Sequence, residues 1–212
     1  MADHVDWLDD FLAYSAGGES PPKFMFWVGV STIAAVLQRK VWIDQINFQW
    51  TPNFYILLVG PPGGPKKTTA IQIGRKLLKR VEGINLGPQI ITWQQLVTHM
   101  AESRRKFGPE DNYFKVDGED FEASCVTIHI SEFGMFFDPL NRELIDNLTD
   151  MWDGKLDTIR KETRTMGSDE IVNPWLNIIQ RRRLRGSRTT SVPSSSALGS
   201  PAVPCSSMKR HR

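Results

Sequence analysis

Residues 60–69, with the sequence GPPGGPKKTT, combine glycines, two adjacent lysines and two threonines directly after the apolar run FYILLV. A polyphosphate needs several converging backbone N–H donors, which a tight glycine turn and the start of a following helix supply. A lysine then neutralises the β and γ oxygens, and a Ser or Thr hydroxyl helps to hold Mg²⁺. The stretch therefore predicts a site for ATP and Mg²⁺. The alternative is a turn rich in Gly and Pro whose lysines are merely solvated.

Two registers place the loop lysine differently. The strict pattern G-x-x-x-x-G-K-[ST] starts at Gly60, but Pro65 stands at its second glycine and Lys67 follows Lys66 where the hydroxyl belongs. A loop one residue longer makes Lys67 and Thr68 the lysine–hydroxyl pair in the first helical turn, beside the phosphates. We adopt this second register and treat Lys66 as an auxiliary basic residue. The predicted nucleotide-binding residues are Gly60, Pro61, Pro62, Gly63, Gly64, Lys66, Lys67, Thr68 and Thr69.

A nucleotide hydrolase also needs a carboxylate at the end of a neighbouring strand, to hold Mg²⁺ or to polarise the attacking water. The run VTIHISE places Glu132 at such an end, directly after Ser131. We predict Glu132 as the catalytic base and Thr68 with Glu132 as the Mg²⁺ residues, the alternative being that Glu132 is a surface carboxylate. Asp138 is a second candidate acid. The mid-strand His129 fits a packed core histidine better than a catalytic one.

The order of apolar segments predicts an α/β fold, a parallel sheet with flanking helices. Residues 53–59 are apolar in all but Asn53, which is typical of a strand buried on both faces. Helices are expected over residues 4–14, 23–37, 68–81, from 92 onwards and over 140–154. Further strands are expected near residues 40–44, 90–91, 124–132 and 175–179, with a hairpin or loop at 109–123 and a hairpin after 156.

Charge divides the chain into unlike parts. Residues 180–212 hold eight of the 26 Lys and Arg residues and none of the 24 Asp and Glu residues, so the preceding part is mildly acidic. We predict a helical N-terminal cap over 1–50, a partial P-loop ATPase core over 51–179 and a disordered basic tail over 180–212. No apolar run reaches the roughly 20 residues of a membrane span, and the acidic N-terminus is unlike a signal peptide. Cys125 and Cys205 have no metal-binding spacing and suit a reducing cytosol.

Five stretches resemble a family of phage and prophage P-loop ATPases, related to superfamily-three and AAA+ replicative helicases and primase-helicases. They are FYILLVGPPGGPKKTT, ITWQQLV, IHISEFGMFF, LIDNLTDMWDG and TRTMGSDEIVNPWLNII, within residues 20–179. The resemblance implies that Lys67 and Thr68 are the Walker A pair, that Glu132 is the Walker B acid and that Asn177 is a sensor residue. It also implies ATP hydrolysis coupled to DNA unwinding in replication, a homo-oligomeric ring, and a cytoplasmic location in a bacterium or phage-infected host.

The tail departs from the family pattern, with no periodicity, no acidic residue and eight serines. It fits a disordered basic arm that binds nucleic acid, a linker, or a frameshifted reading of a GC-rich gene. Back-translation favours the frameshift, because one shifted frame can read as continuations that resemble the family. On that interpretation the chain is a C-terminally truncated ATPase with weak or no turnover. The functional alternatives are an inactive prophage remnant, a DNA-packaging motor ATPase, and a non-enzymatic nucleic-acid binder that uses its basic tail.

Overall fold

The computed structural model describes residues 6–45, 48–61, 64–106, 113–116, 118–130, 140–153, 157–163 and 167–183 of the chain. Within these ranges the chain forms five helices and nine strands. The helices are α1 (Trp7–Ser15), α2 (Pro22–Leu37), α3 (Lys67–Leu78), α4 (Trp93–Lys106) and α5 (Arg142–Asp153). The strands are β1 (Ile43–Gln45), β2 (Phe48–Trp50), β3 (Tyr55–Gly60), β4 (Tyr113–Val116), β5 (Glu119–Glu122), β6 (Cys125–Ile130), β7 (Thr158–Thr163), β8 (Gly167–Val172) and β9 (Trp175–Arg183).

A three-stranded parallel sheet in the order β3-β9-β6 forms the centre of the fold. In its register, Gly60 of β3 lies opposite Arg183 of β9, and Ile130 of β6 lies opposite Gln180. The pairs β1–β2, β4–β5 and β7–β8 are antiparallel and form separate two-stranded sheets. The predicted α/β class, with a parallel sheet and flanking helices, is therefore confirmed.

Helices cover both faces of the sheet. Because successive side chains of a strand point to opposite faces, the neighbours Ile178 and Ile179 of β9 enter different cores. Ile178 belongs to a core with residues of α4 and α5, and Ile179 belongs to a core with residues of α1, α2 and α3. A third cluster, which includes Trp175 and Phe114, joins α2 to the β4–β5 hairpin. The N-terminal helices thus form one layer of the same packed structure as the sheet.

Local hydrogen bonds determine where two of the helices begin. Asp6 caps α1, because its carboxylate accepts from the N–H groups of Leu8 at 2.9 Å and Asp9 at 3.4 Å. Thr92 and Gln95 form a capping box at α4, in which each side chain accepts from the other residue's backbone N–H, at 3.3 and 3.1 Å. Both are local signals that the sequence carries within four residues.

Two strand predictions differ from the structure. The predicted strand at residues 90–91 is wrong, because these residues form a loop that leads directly into the cap of α4, and Leu86 instead makes an isolated parallel bridge to β6. The strand predicted over residues 175–179 continues to Arg183, because its backbone stays paired with β3. The sheet therefore includes the first four residues of the predicted tail, and residues 184–212 lie outside the described part of the chain.

Candidate functional site

The glycine loop lies between the carboxyl end of β3 and the start of α3. Gly60 ends β3 and Lys67 begins α3, so Lys67, Thr68 and Thr69 occupy the first helical turn. Thr68 and Thr69 are exposed, and the N-cap residue makes no side-chain hydrogen bond to this end of the helix. The positive end of the helix dipole therefore lies at the loop. Two of the predicted binding residues, Pro62 and Gly63, fall outside the described residues.

Lys67 is a buried cation in the loop. Lys67 is only 4 % exposed, and its Nζ donates hydrogen bonds to the carbonyl oxygens of Gly60 at 3.0 Å and Pro61 at 2.8 Å. A buried ammonium requires hydrogen-bond partners, because desolvation otherwise disfavours the charged form. These two carbonyl oxygens hold the ammonium where the loop folds back over the end of β3.

The absence of a side chain at Gly60 permits this close packing. A Cβ at position 60 would lie 2.8 Å from Cγ of Pro65 and 3.4 Å from Nζ of Lys67. A Cβ at position 64 would have Cγ of Pro61 as its nearest atom, at 4.0 Å. A side chain at position 60 would therefore clash with Pro65, so the first glycine of the loop is required, whereas the space around Gly64 would accept a methyl group.

Lys66 lies in a different environment from Lys67. Its Nζ forms an ion pair with Glu19 at 3.1 Å, and the two side chains are 48 % and 76 % exposed. The Ser20 hydroxyl donates to the Lys66 carbonyl oxygen at 3.0 Å, which ties the α1–α2 connection to the loop. An exposed ion pair of this kind contributes about 1 kcal/mol or less. The structure therefore places Lys67 inside the loop and Lys66 on its outer surface.

Strand β6 ends at the same edge of the sheet as the loop. Since β3, β9 and β6 are parallel, their carboxyl ends share one edge, where ligands of open α/β sheets bind. Glu132 follows the last residue of β6, Ile130, by two positions. Ser131, Glu132 and Asp138 all lie outside the described residues, so their roles stay predictions.

Asn177 lies in the interior of the sheet rather than at this edge. It is fully buried, and its Nδ2 donates to the carbonyl oxygen and to Oγ of Ser31 at 3.0 and 3.1 Å. Along β9 it precedes by six positions the residue that pairs with Gly60, which corresponds to about 20 Å of strand. The structure does not bring Asn177 to the loop, and its contacts tie α2 to β9.

A second group of polar side chains is buried between α3 and β6. Arg75 is 9 % exposed and donates to the Gly87 carbonyl oxygen at 3.1 Å, while its Nε and Nη1 have no hydrogen-bond partner. His129 is 2 % exposed, and neither ring nitrogen has a partner. Burial, together with the positive charge of Arg75, lowers the pKa of His129 to about 3. The imidazole is therefore neutral at physiological pH, which agrees with a packed core histidine.

Other chemistry is limited in the part of the chain that the structure describes. Burial raises the pKa of the free Cys125 thiol to about 12, which makes it a poor nucleophile. Within the described ranges, no group of three or more His, Cys, Asp or Glu side chains is placed to hold a metal ion. None of the helices described is both long and apolar enough to cross a bilayer.

Sequence reasoning missed the arginines at the end of β9. The run 181–183 is assigned to the tail by composition, yet it pairs with residues 58–60 of β3. The lengths of the two strands offer a usable signal for this extension. A strand over residues 175–179 is too short to pair with the predicted strand 53–59 along its full length.

Comparisons of the chain with protein-family models, curated proteins and solved structures find no match. The chain's own residues define an α/β protein with a three-stranded parallel sheet. At the carboxyl edge of that sheet, a buried lysine lies in a glycine loop that leads into a helix.

Proposed function

We propose that this chain is a P-loop protein that binds ATP with Mg²⁺, and that the class of ATPase to which its core belongs couples ATP hydrolysis to DNA unwinding, as in a replicative helicase. The observation that carries the proposal is the position of the Lys67 ammonium. It is buried in a glycine loop, at the start of α3 and at the carboxyl end of a parallel strand. A cation, a helix N-terminus and a glycine turn at one point are what a polyphosphate requires.

In the proposed complex the phosphates lie over the first turn of α3. Nζ of Lys67 exchanges its two carbonyl acceptors for phosphate oxygens, which bind it more strongly because they are charged. The backbone N–H groups of the loop and first turn donate to the phosphates. The exposed hydroxyl of Thr68 is in the first turn, where this type of residue holds Mg²⁺.

Hydrolysis requires an acid on the far side of the terminal phosphate. Strand β9 separates β3 from β6, so these two strands lie two interstrand spacings, about 10 Å, apart. Ile130, the last residue of β6, is level with Leu57 of β3, three residues before Gly60. In our proposal the terminal phosphate and an attacking water lie between Lys67 and the residues that follow Ile130. In our proposal Glu132 is the carboxylate that orients this water and accepts its proton.

Coupling to DNA is supported by the sequence resemblance to replicative helicases, as is assembly into a ring. The corresponding readout is the rate of ATP hydrolysis. On the frameshift interpretation we expect this rate to stay low in the wild-type chain, and a robust rate that single-stranded DNA raises and Lys67→Ala abolishes would refute that interpretation.

The two adjacent lysines provide a matched test of nucleotide binding. We expect Lys67→Ala to lower the affinity for Mg-ATP by about tenfold to a hundredfold, since a charged hydrogen bond contributes about 1.5–3 kcal/mol. Lys66→Ala removes the same charge from the next position and should change the affinity by less than about threefold, because an exposed pair contributes little. Isothermal titration calorimetry measures both, and thermal unfolding verifies that each variant is folded. Wild-type protein that does not bind Mg-ATP, or equal losses in the two variants, would overturn the proposal.

A further inference from the structure

A hydroxyl group from the N-terminal helices contacts the residue at which the glycine loop turns into α3. Ser20 lies in the connection between α1 and α2, and its hydroxyl donates to the carbonyl oxygen of Lys66 at 3.0 Å. Lys66 is the N-cap residue of α3. The two residues are 46 positions apart in the sequence, so this is a tertiary contact and not a part of the local turn.

The carbonyl group that accepts this hydrogen bond belongs to the first turn of α3. The same oxygen accepts from the backbone N–H of Ala70 at 3.1 Å, which is the first hydrogen bond of the helix. The side chain of Lys66 makes no capping hydrogen bond to the helix. The Ser20 hydroxyl therefore holds, from outside the loop, the peptide group that starts α3.

The backbone around Ser20 is restricted, so the position of its hydroxyl is well defined. Pro21 and Pro22 follow it, and a proline ring limits its own φ as well as the backbone of the preceding residue. Pro21 is the N-cap residue of α2, and its carbonyl oxygen accepts from the N–H groups of Phe24 and Met25 at 2.8 and 3.2 Å. Ser20 is also only 9 % exposed, which strengthens its hydrogen bond relative to one in water.

The first turn of α2 also packs beside the start of the loop. Phe24 is half-buried and packs against the core that contains Ala70 and Ile71 of α3. A Cβ at position 60 would lie 3.8 Å from Cζ of Phe24. The α1–α2 connection and the first turn of α2 thus reach both ends of the loop, Gly60 and Lys66.

We propose that Ser20 is a positioning residue of the phosphate site, which holds the start of α3 in the arrangement that binds phosphates and couples the α1–α2 connection to the bound nucleotide. This inference rests on the proposed nucleotide binding and adds a residue that acts through the backbone of Lys66. The N–H groups of a first helical turn bind phosphate where they converge. Loss of the hydroxyl lowers the fraction of molecules in this arrangement, and the apparent affinity falls with that fraction. Because coupling is reciprocal, bound nucleotide stabilises the connection in turn.

Ser20→Ala and Glu19→Gln form a matched pair, because the two residues are adjacent and both contact Lys66. We expect Ser20→Ala to weaken Mg-ATP binding by about fivefold, which corresponds to the loss of one neutral hydrogen bond. Glu19→Gln should leave the affinity within about twofold of the wild-type value, because its ion pair is exposed. Ser20→Thr retains the hydroxyl and should also bind within about twofold of the wild-type chain. Isothermal titration calorimetry measures all three affinities.

Hydrogen exchange distinguishes positioning from a general loss of stability. The N–H groups of Phe24 and Met25, which donate to Pro21, report on the connection. Saturating Mg-ATP should slow their exchange by about fivefold in the wild-type chain and in Glu19→Gln, since coupling acts equally in both directions. In Ser20→Ala, saturating Mg-ATP should leave this exchange unchanged.

The outcomes separate this inference from the proposed function. If Ser20→Ala binds Mg-ATP as well as Glu19→Gln does while Lys67→Ala loses binding, the role of Ser20 is wrong and the proposed function stands. Equal losses of affinity in Ser20→Ala and Ser20→Thr also contradict a role for the hydroxyl. If the wild-type chain does not bind Mg-ATP, both proposals fail. Should Ser20→Ala not fold, the exchange measurement on the wild-type chain decides, and exchange at Phe24 and Met25 that Mg-ATP leaves unchanged would overturn the coupling.

Discussion

Replacing Asn177 by Ala distinguishes a structural role for this side chain from a role in sensing nucleotide. The resemblance to replicative helicases implies a sensor, whereas the structure places the amide against Ser31 of α2. A sensor must contact the bound nucleotide, so its loss lowers affinity or turnover. A structural amide instead lowers the free energy of unfolding.

The expected loss of stability follows from the contacts of the amide. Nδ2 donates to two oxygen atoms of Ser31, at 3.0 and 3.1 Å, in a fully buried setting. Each neutral hydrogen bond contributes about 1 kcal/mol, and leaving a buried acceptor unsatisfied adds about 1–3 kcal/mol. We therefore expect Asn177→Ala to lower the free energy of unfolding by about 3 kcal/mol. Nucleotide affinity should stay within about twofold of the wild-type value, because about 20 Å of strand separates Asn177 from the residue of β9 that pairs with Gly60.

Urea denaturation followed by tryptophan fluorescence measures the loss of stability, and calorimetric titration measures nucleotide affinity. The Ser31→Ala variant is the matched partner, and the double variant should lose about 1 kcal/mol less than the sum of the single losses, because both remove the same contact. A variant with wild-type stability but tenfold weaker ATP binding would refute this reasoning. It would show that Asn177 acts at the loop in spite of its position.

Two further predictions concern the packing of α3. Gly74→Ala should lower the free energy of unfolding by about 1–3 kcal/mol despite the better helix propensity of Ala, because its Cβ would lie 2.7 Å from Cγ1 of Val28. Chemical denaturation checks this, with Gly17→Ala as the control, since a Cβ there has no atom within 4 Å; equal effects would contradict the clash. His129 has a folded pKa of about 3, below its ordinary value of 6.5, so only the unfolded state takes up a proton between these values. The contribution of neutral, buried His129 to the free energy of unfolding is therefore complete above pH 6.5. It is lost as the pH falls towards 3, at up to about 1.4 kcal/mol per pH unit. Stability measured from pH 7 to pH 4 should fall less steeply in His129→Gln, and identical slopes would exclude this origin.

Much of the fold could be predicted because the relevant signals are local. The end of α2 at Leu37, the start of α4 after Thr92 and the two hairpins within residues 109–123 and 158–172 follow from apolar period, capping residues and turn composition. Two strand predictions were wrong or too short, because whether a segment forms a strand, and where that strand ends, depends on pairing with a strand distant in sequence. Residues 90–91 are apolar but have no neighbouring strand to pair with in the described sheet, and β9 continues past residue 179 because β3 lies beside it.

The sequence by itself determined that a glycine loop with two lysines stands between an apolar strand and an amphipathic helix. It also determined the α/β class, because apolar runs and helical periods are properties of neighbouring residues. The sequence allowed two registers, of which we adopted the one with Lys67 in the first helical turn, and the tertiary structure shows that Lys67 is the enclosed lysine. The ammonium of Lys67 is buried because the loop folds back until the carbonyl oxygens of Gly60 and Pro61 reach it, whereas Lys66 meets Glu19 on the surface. The tertiary structure also brought the arginine run 181–183 beside the end of β3 that carries the loop, since strand order is set by packing across the whole chain and not by spacing along it.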